Sequence, residues 1–183
     1  MNKQTLFITQ TGVMIAILLC TQFLTRPFSQ FVTGSLVNLI LLLTLFLVGR
    51  AGGIIVAMLS PFLAVFIGMG PAFIQIVPFM AVGNAILVIV ASFVGNHIAV
   101  GKVKDIIITS IGLIGASVSK FLFLWLGLVI VFLPLIPGIK EQQIAVISVA
   151  FSWPQLITAL IGSGLAMMLV PLLKRALKYG KNV

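Results

Sequence analysis

Acidic side chains are nearly missing from this sequence. Its 183 residues include two Asp or Glu residues, one His and one Cys. Paired carboxylates for metal-assisted phosphoryl or prenyl chemistry are therefore missing, and no metal cluster of His and Cys can be built. A relay of acidic residues that carries protons or sodium ions through a membrane is missing as well. The enzyme and secondary-transporter classes are weakened, and binding is the function class that survives.

Other familiar motifs are also absent. The sequence has no G-x-x-x-x-G-K-[ST] segment, so the chain does not bind ATP through a P-loop. Its single cysteine, Cys20, excludes an intrachain disulfide. The N-terminal segment has a basic start and an apolar run but no A-x-A-like cleavage site, so we expect it to be retained as a membrane helix. We predict no enzymatic activity, no metal and no cofactor in this chain.

Apolar residues are what the sequence has in abundance. It is 61% hydrophobic and 7% charged, with a mean hydropathy of +1.33. Ordinary soluble domains carry about 25% charged residues. Two acidic and eleven basic side chains are too few to cover the surface of a soluble fold of this size. The composition therefore predicts an all-α integral membrane protein, with one transmembrane domain over residues 1–183.

Apolar segments divide this domain into membrane spans. A helix needs about 20 apolar residues to cross about 30 Å of hydrocarbon. The sequence predicts a bundle of six transmembrane helices, over residues 5–25, 33–49, 51–69, 73–96, 105–133 and 144–174. The last two segments exceed the minimum length, so we expect them to tilt or to project beyond the bilayer.

Basic residues give the predicted bundle an orientation. With six spans both termini share one side, which carries Lys3, Arg50, Lys102, Lys104, Lys174, Arg175, Lys178 and Lys181. The opposite side carries Arg26 and Lys140. The positive-inside rule therefore places both termini in the cytoplasm. Helix ends near anionic lipid account for the net charge of +9, and no nucleic-acid partner is needed.

The segment TRPFSQFVTGSLVN, residues 25–38, is the main polar interruption. In this topology it lies at the outer face, together with residues 67–71 and 133–143. Arg26, Gln30 and Ser35 would then gather at one mouth of the bundle. We interpret them as the rim of a water-accessible cavity, and the alternative is a set of solvated loops without a ligand.

Polar side chains also occur inside the predicted spans. They are Asn38, Gln75, Asn84, Ser117, Lys120, Gln155 and Thr158. Lys120 is the most expensive of them, because a charged residue at the bilayer centre costs about 2.5 to 3.5 kcal/mol on insertion scales. Neither acidic residue is expected to reach it. We expect Lys120 to face a polar cavity and to be held by carbonyls, water or a ligand; snorkelling to the interface is the alternative.

Three further side chains have two interpretations each. The amides of Asn84 and Gln155 either line a ligand site or bridge neighbouring helices. Trp153 either stacks on a flat ligand or lies in the interfacial belt of aromatic residues. The predicted substrate-binding set is Arg26, Gln30, Ser35, Asn38, Gln75, Asn84, Ser117, Lys120, Trp153 and Gln155.

Small residues mark one face of the first helix. Gly12 and Ala16 are four positions apart, a spacing that allows close approach of another helix. With this motif, the whole pattern of size, six spans, inside termini and polar outer mouth resembles the substrate-binding S component of energy-coupling factor (ECF) vitamin transporters. The family's motif on helix 1 is A-x-x-x-A-like, and Gly12 replaces its first alanine here.

The resemblance implies a membrane subunit that binds a vitamin with high affinity and catalyses nothing. It implies that Gly12 and Ala16 contact a transmembrane coupling subunit and that two cytoplasmic ATPase subunits bind the ATP. Residues 25–38 would be the lid and wall of a pocket that later helices complete. The implied location is the plasma membrane of a prokaryote.

The substrate is less well defined by the residues. A cationic vitamin should need a buried carboxylate or an aromatic cage, and neither is evident. An anionic vitamin such as pantothenate could use Arg26 or Lys120. The segment 25–38 looks like that of cobalamin-binding S components, so cobalamin is the predicted substrate. Hydroxymethylpyrimidine, pyridoxine and pantothenate are the alternatives, and a membrane assembly subunit without a ligand is the alternative from another class.

Overall fold

The structure is a computed structural model that describes residues 2–68, 70–71, 73–98, 102–136 and 138–179. Within these ranges the chain is helical and contains no β-strand, which confirms the predicted all-α class. The α-helices are α1 (Lys3–Thr25), α2 (Gln30–Leu47), α3 (Arg50–Phe66), α4 (Val77–Ser92), α5 (Val103–Leu122), α6 (Glu141–Ala150) and α7 (Trp153–Tyr179). Short 3₁₀ turns cover Ile74–Ile76 and Leu133–Leu135, and a π-helix covers Phe123–Phe132.

Five helical stretches in the described residues are long and apolar enough to cross a membrane. They are Lys3–Thr25, Gln30–Leu47, Ile74–Ser92, Val103–Leu135 and Glu141–Leu177. The remaining predicted span, 51–69, corresponds to α3, which has 17 residues. At about 1.5 Å per residue this helix is about 26 Å long, slightly less than the hydrocarbon thickness. The six-span topology with cytoplasmic termini stays a prediction.

The predicted span 144–174 lies within the candidate membrane span Glu141–Leu177, but its helix is interrupted. The chain leaves helical geometry at Phe151 and Ser152, so that α6 and α7 are separate helices. Pro154 explains the position of the break. It has no N–H to donate to the carbonyl of Ala150, four residues earlier, and its ring crowds that carbonyl, yet proline is well tolerated in the first turn of a helix.

The predicted span 105–133 also differs from a regular α-helix. Its α-helical part ends at Leu122, and the π-helix and a 3₁₀ turn continue it to Leu135. By contrast, α2 and α3 form the tight hairpin that the sequence GRAGG indicates. Gly49 has a φ of 119°, which is open to glycine and strained for other residues, so the connection needs very few residues.

Five helices form a ring. In cyclic order α2, α3, α4, α5 and α7 each contact the next, and α7 returns to α2 in the most extensive of these contacts. Helix α1 packs outside the ring against α2 and α3. The approach of α7 to α2 is very close at Gly162, where a Cβ atom would lie 2.8 Å from the carbonyl oxygen of Ser35. Small residues permit such packing between membrane helices.

The bundle has two ends, which we name by one residue each. The Gln30 end carries the α1–α2 connection, the end of α3 and the break between α6 and α7. The Arg50 end carries the α2–α3 hairpin, the end of α4 and the last turns of α7. The basic residues at the Arg50 end are Lys3, Arg50, Lys102, Lys104, Lys174 and Arg175, whereas Arg26 and Lys140 lie at the Gln30 end. Lys178 belongs to α7, and Lys181 lies outside the described residues.

Apolar side chains form two buried clusters. The main cluster fills the ring toward the Arg50 end and includes Leu41, Leu42, Leu87 and Val88. The smaller cluster lies under α6 and the π-helix and contains Ile76, Leu124, Leu128, Leu133, Ile147 and Phe151. Between the two clusters the ring contains buried polar side chains, and this is where the candidate site lies.

Candidate functional site

A cavity of about 330 Å³ lies inside the ring toward the Gln30 end. It is lined by residues from every α-helix and from the connection after α3. The lining residues are Gln22, Gln30, Thr33, Gly34, Val37, Asn38, Ser60, Pro61, Ala64, Gly70, Pro71, Met80, Asn84, Lys120, Leu124, Ala150, Phe151 and Gln155.

Lys120 lies in the wall of this cavity and is only 4% exposed. Its Nζ donates hydrogen bonds to Oδ1 of Asn38 at 2.6 Å and to Oδ1 of Asn84 at 2.7 Å. Both acceptors are uncharged amides. The side chain is therefore held inside the bundle and does not snorkel to an interface.

Neither acidic residue of the chain approaches Lys120. Asp105 begins the same helix, about 22 Å away at 1.5 Å per residue, and it pairs with His97 near the Arg50 end. Glu141 is exposed in the first turn of α6. Among the described residues no carboxylate contacts Nζ, so the amide oxygens are its protein partners.

Hydroxyl groups fix the two amides that hold Lys120. The Asn38 Nδ2 donates to Thr158 Oγ1 at 3.5 Å, and the Asn84 Nδ2 donates to Ser60 Oγ at 3.4 Å. The nitrogen of each amide is thus turned toward a hydroxyl and its oxygen toward Nζ. Each ring helix contributes one member of this polar network, which comprises Asn38 (α2), Ser60 (α3), Asn84 (α4), Lys120 (α5) and Thr158 (α7).

Ser60 owes its position to the proline that follows it. Pro61 lies inside α3 and has no N–H group, so the carbonyl of Ala57 lacks its usual helical donor. The Ser60 Oγ donates to that carbonyl at 3.2 Å and accepts from Asn84 with the same atom. A serine before a proline in an apolar span was a signal available in the sequence for this residue.

Two glutamines at the mouth tie the α6–α7 break to the cavity. The Nε2 atoms of Gln30 and Gln155 both donate to the carbonyl oxygen of Ala150, at 2.9 and 3.2 Å. That carbonyl lies at the end of α6, where carbonyl groups have no N–H donor within the helix. The structure thus brings five predicted site residues to the cavity, namely Gln30, Asn38, Asn84, Lys120 and Gln155.

Five other predicted site residues do not line this cavity, and their role in binding a substrate stays a prediction. Arg26 is exposed at the C-terminal cap of α1, and Gln75 is exposed in the 3₁₀ turn before α4. Trp153 is 55% exposed, with its ring centroid 5.7 Å from that of Phe31. Water or the membrane interface satisfies such side chains, so nothing draws them into the bundle.

The two predicted serines are buried but away from the cavity. Ser117 Oγ donates to the carbonyl oxygen of Leu113 at 2.9 Å and lies 3.1 Å from Ser163 Oγ, which joins α5 to α7. Ser35 lies in the close contact of α2 with α7, and its Oγ has no hydrogen-bond partner among the described residues. Both serve helix packing.

Gln22 is a cavity residue that the sequence analysis missed. It lies near the end of α1, and its Oε1 atom is buried without a hydrogen-bond partner in the described part of the chain. Thr33 of the cavity wall is anchored to the end of α1, because its Oγ1 donates to the carbonyl of Thr25 at 3.1 Å. The presence of Gln22 in the first apolar span was the signal in the sequence that could have predicted its place in the cavity.

Gly12 and Ala16 lie on the outer side of α1. Both residues are exposed, and a Cβ atom at Gly12 would meet nothing within 4 Å. The opposite side of α1 carries the buried residues Thr11, Met14 and Leu18. Within the described part of the chain the small pair therefore packs against no other helix, and this surface of α1 faces lipid or another protein.

A comparison with protein-family models finds no match, and comparisons with curated proteins and with solved structures find no significant match. Three features of the structure bear on function: the cavity, the Lys120 network and the outer side of α1.

Proposed function

We propose that this chain is a membrane-embedded binding protein for a small polar molecule, acting as the S component of an ECF-type vitamin importer. The observation that carries this proposal is Lys120, an ionisable side chain held in the wall of an internal cavity. Ionisable groups inside membrane bundles are rare, and they mark substrate or ion pathways. A cavity with converging polar groups in an otherwise apolar bundle is a typical ligand site.

The cavity volume bears on which vitamin is bound. About 330 Å³ is near the lower end of the range of about 300 to 1,000 Å³ for small-molecule sites. This volume favours hydroxymethylpyrimidine, pyridoxine or pantothenate over cobalamin, which is the bulkiest of the vitamins considered. Cobalamin would require residues 25–38 to move away from the α6–α7 break.

The outer side of α1 supports the proposed place in a complex. A coupling subunit would pack a helix against Gly12 and Ala16, which are both exposed in the described part of the chain. Two ATPase subunits would supply the energy from ATP. In this division of labour the present chain contributes only binding.

A ligand-free assembly subunit is the second candidate function. The observation in its favour is that both amide oxygens and both amide nitrogens around Lys120 already have partners within the protein. In that case the network only ties five helices together. A thermal shift of the purified protein by any vitamin would exclude this candidate.

Uptake of radiolabelled vitamins by cells that produce the chain with a coupling subunit and ATPases tests the proposal. We expect accumulation of at least one small vitamin. The double variant Gly12→Leu with Ala16→Leu should reduce uptake at least about tenfold, because the larger side chains prevent close helix approach. Thermal stabilisation of the purified variant by that vitamin should remain.

The matched control is Val13→Leu, on the same helix and 51% exposed. It enlarges a side chain outside the small pair and should leave uptake unchanged. Normal uptake by the double variant would contradict the coupling role, and absence of both uptake and thermal shift would contradict vitamin binding.

A further inference from the structure

Lys120 brings an ionisable amine into the cavity, and no carboxylate among the described residues pairs with it. Its two partners are neutral amide oxygens, and Asp105 and Glu141 lie in other regions. Hydrogen bonds reduce the penalty of a buried charge but leave its field in place, and that field is strong in a medium of low dielectric constant. A ligand with a negative charge gains most from such a site.

The ammonium group has one donor left. A lysine ammonium has three N–H bonds, and Asn38 and Asn84 accept two of them. Because Lys120 forms part of the cavity wall, the third N–H is available to a bound molecule. The amides are themselves oriented by Thr158 and Ser60, so this donor is positioned before any ligand arrives.

The mouth of the cavity offers a hydrogen-bond acceptor, whereas Lys120 offers a donor. Gln22 Oε1 is a buried acceptor without a partner among the described residues, and it lines the same cavity. A buried acceptor that lacks a donor is destabilising. A hydroxyl or amide N–H of a ligand would supply the missing donor.

The cavity volume limits the size of the ligand. Lys120 and Gln22 both line the same cavity of about 330 Å³, so a molecule that fits there and reaches both side chains is small.

We propose that the ligand of this cavity is a small carboxylic acid whose carboxylate binds the Lys120 ammonium in the depth of the ring, while a hydroxyl or amide N–H of the same molecule donates to Gln22 at the mouth. This inference rests on the proposed binding function but not on the ECF complex.

Matched pairs of acids and neutral analogues test the charge requirement. The probes are pantothenate with pantothenol, nicotinate with nicotinamide, and biotin with biotinamide, measured by titration calorimetry on the purified full chain. We expect at least one acid to bind, and its neutral analogue to bind at least about tenfold more weakly. Lys120→Met should weaken the acid by about 10- to 100-fold, the range of a charge-assisted hydrogen bond, and should remove the preference over the analogue.

Lys104→Met is the matched control, because this lysine is exposed on the same helix at the Arg50 end. It should leave every affinity unchanged. Gln22→Leu should weaken acids that carry a hydroxyl or amide, such as pantothenate, about tenfold more than it weakens nicotinate. Thermal unfolding of each variant shows that it is folded, and methionine at position 120 removes a charge without shortening the chain.

The outcomes separate the two proposals. If the neutral analogues bind as tightly as the acids, the binding function stands and the carboxylate inference is wrong. If Lys120→Met retains the preference for an acid, the inference is wrong as well. If no probe binds or shifts the melting temperature, the carboxylate inference is wrong, and the same titration with hydroxymethylpyrimidine, pyridoxine and cobalamin then decides whether the proposed function stands.

Discussion

The two halves of the ring are built from the same five helices but have different interiors. Toward the Arg50 end, Leu41, Leu42, Leu87 and Val88 fill the space between the helices. Toward the Gln30 end the ring carries the polar side chains of Asn38, Asn84 and Lys120 among apolar ones, and a cavity remains. The cavity therefore lies where polar side chains replace part of the apolar core.

Basic side chains also have different surroundings at the two ends of the bundle. A second hollow of about 300 Å³ at the Arg50 end includes Arg50 and Lys174, which lie at helix ends where water is near. Arg50 there lies over the ring of Phe93, at 5.8 Å from the centroid. Lys120, by contrast, is buried and needs a dedicated set of amides and hydroxyls. The basic residues at the Arg50 end are consistent with a role in membrane orientation, whereas Lys120 is consistent with a role in ligand recognition.

Labelling with a membrane-impermeant thiol reagent gives the largest contrast between the ends. In a Cys20→Ser background, single cysteines replace the exposed residues Ser29 and Lys102, one at each end. The positive-inside rule predicts labelling of position 29 from outside intact cells and none of position 102. Detergent-permeabilised cells are the control, in which both positions should react. Labelling of position 102 from outside would reverse the predicted orientation.

Substitution of Gly162 should give the next largest effect. An added Cβ would lie 2.7 Å from the Asn38 Cβ and 2.8 and 2.9 Å from backbone atoms of α2, so α2 and α7 must separate. We expect Gly162→Ala to lower the free energy of unfolding by about 3 kcal/mol, as overpacking does. The measurement is unfolding in mixed SDS and detergent micelles.

Gly164→Ala is the control for this substitution. Gly164 is exposed on the same helix, and a Cβ there would meet nothing within 4 Å. Alanine should raise helix stability by up to about 1 kcal/mol at this position. Equal effects of the two substitutions would show that the close α2–α7 contact does not contribute to stability.

The sequence was informative about the amide and amine groups inside the spans and less informative about side chains near loops. Asn38, Asn84 and Lys120 were placed in one predicted site, and the structure joins them by hydrogen bonds, since hydrocarbon forces such groups toward polar partners. Arg26 and Gln75 were grouped with them but lie exposed away from the cavity, because water at a helix end satisfies a polar side chain.

Other features depend on three-dimensional packing that periodicity does not encode. The partner of Lys120 could not be specified, because two amides from helices distant in sequence meet only after the ring closes. Gln22 reaches the cavity although α1 lies outside the ring. The helix break before α7, in contrast, was readable from Pro154.

The smallest effect concerns the polar network itself. Asn84→Leu removes one of the two acceptors of Lys120 and leaves a buried ammonium underbonded, so we expect a loss of about 2 kcal/mol in the free energy of unfolding. Lys120→Met removes the charge that needs these acceptors. The double variant should therefore lose about 1 to 2 kcal/mol less than the sum of the single variants.

A double-mutant cycle by unfolding in mixed micelles measures this coupling. Thr44→Val is a control for loss of a polar group, because Thr44 is buried in α2 and its hydroxyl bonds only to the carbonyl of Ile40. Additive losses, within about 0.5 kcal/mol, would mean that the amide does not stabilise the ammonium. In that case the polar half of the ring would differ from the apolar half only in its empty space, and the argument for a positioned positive charge in the cavity would fail.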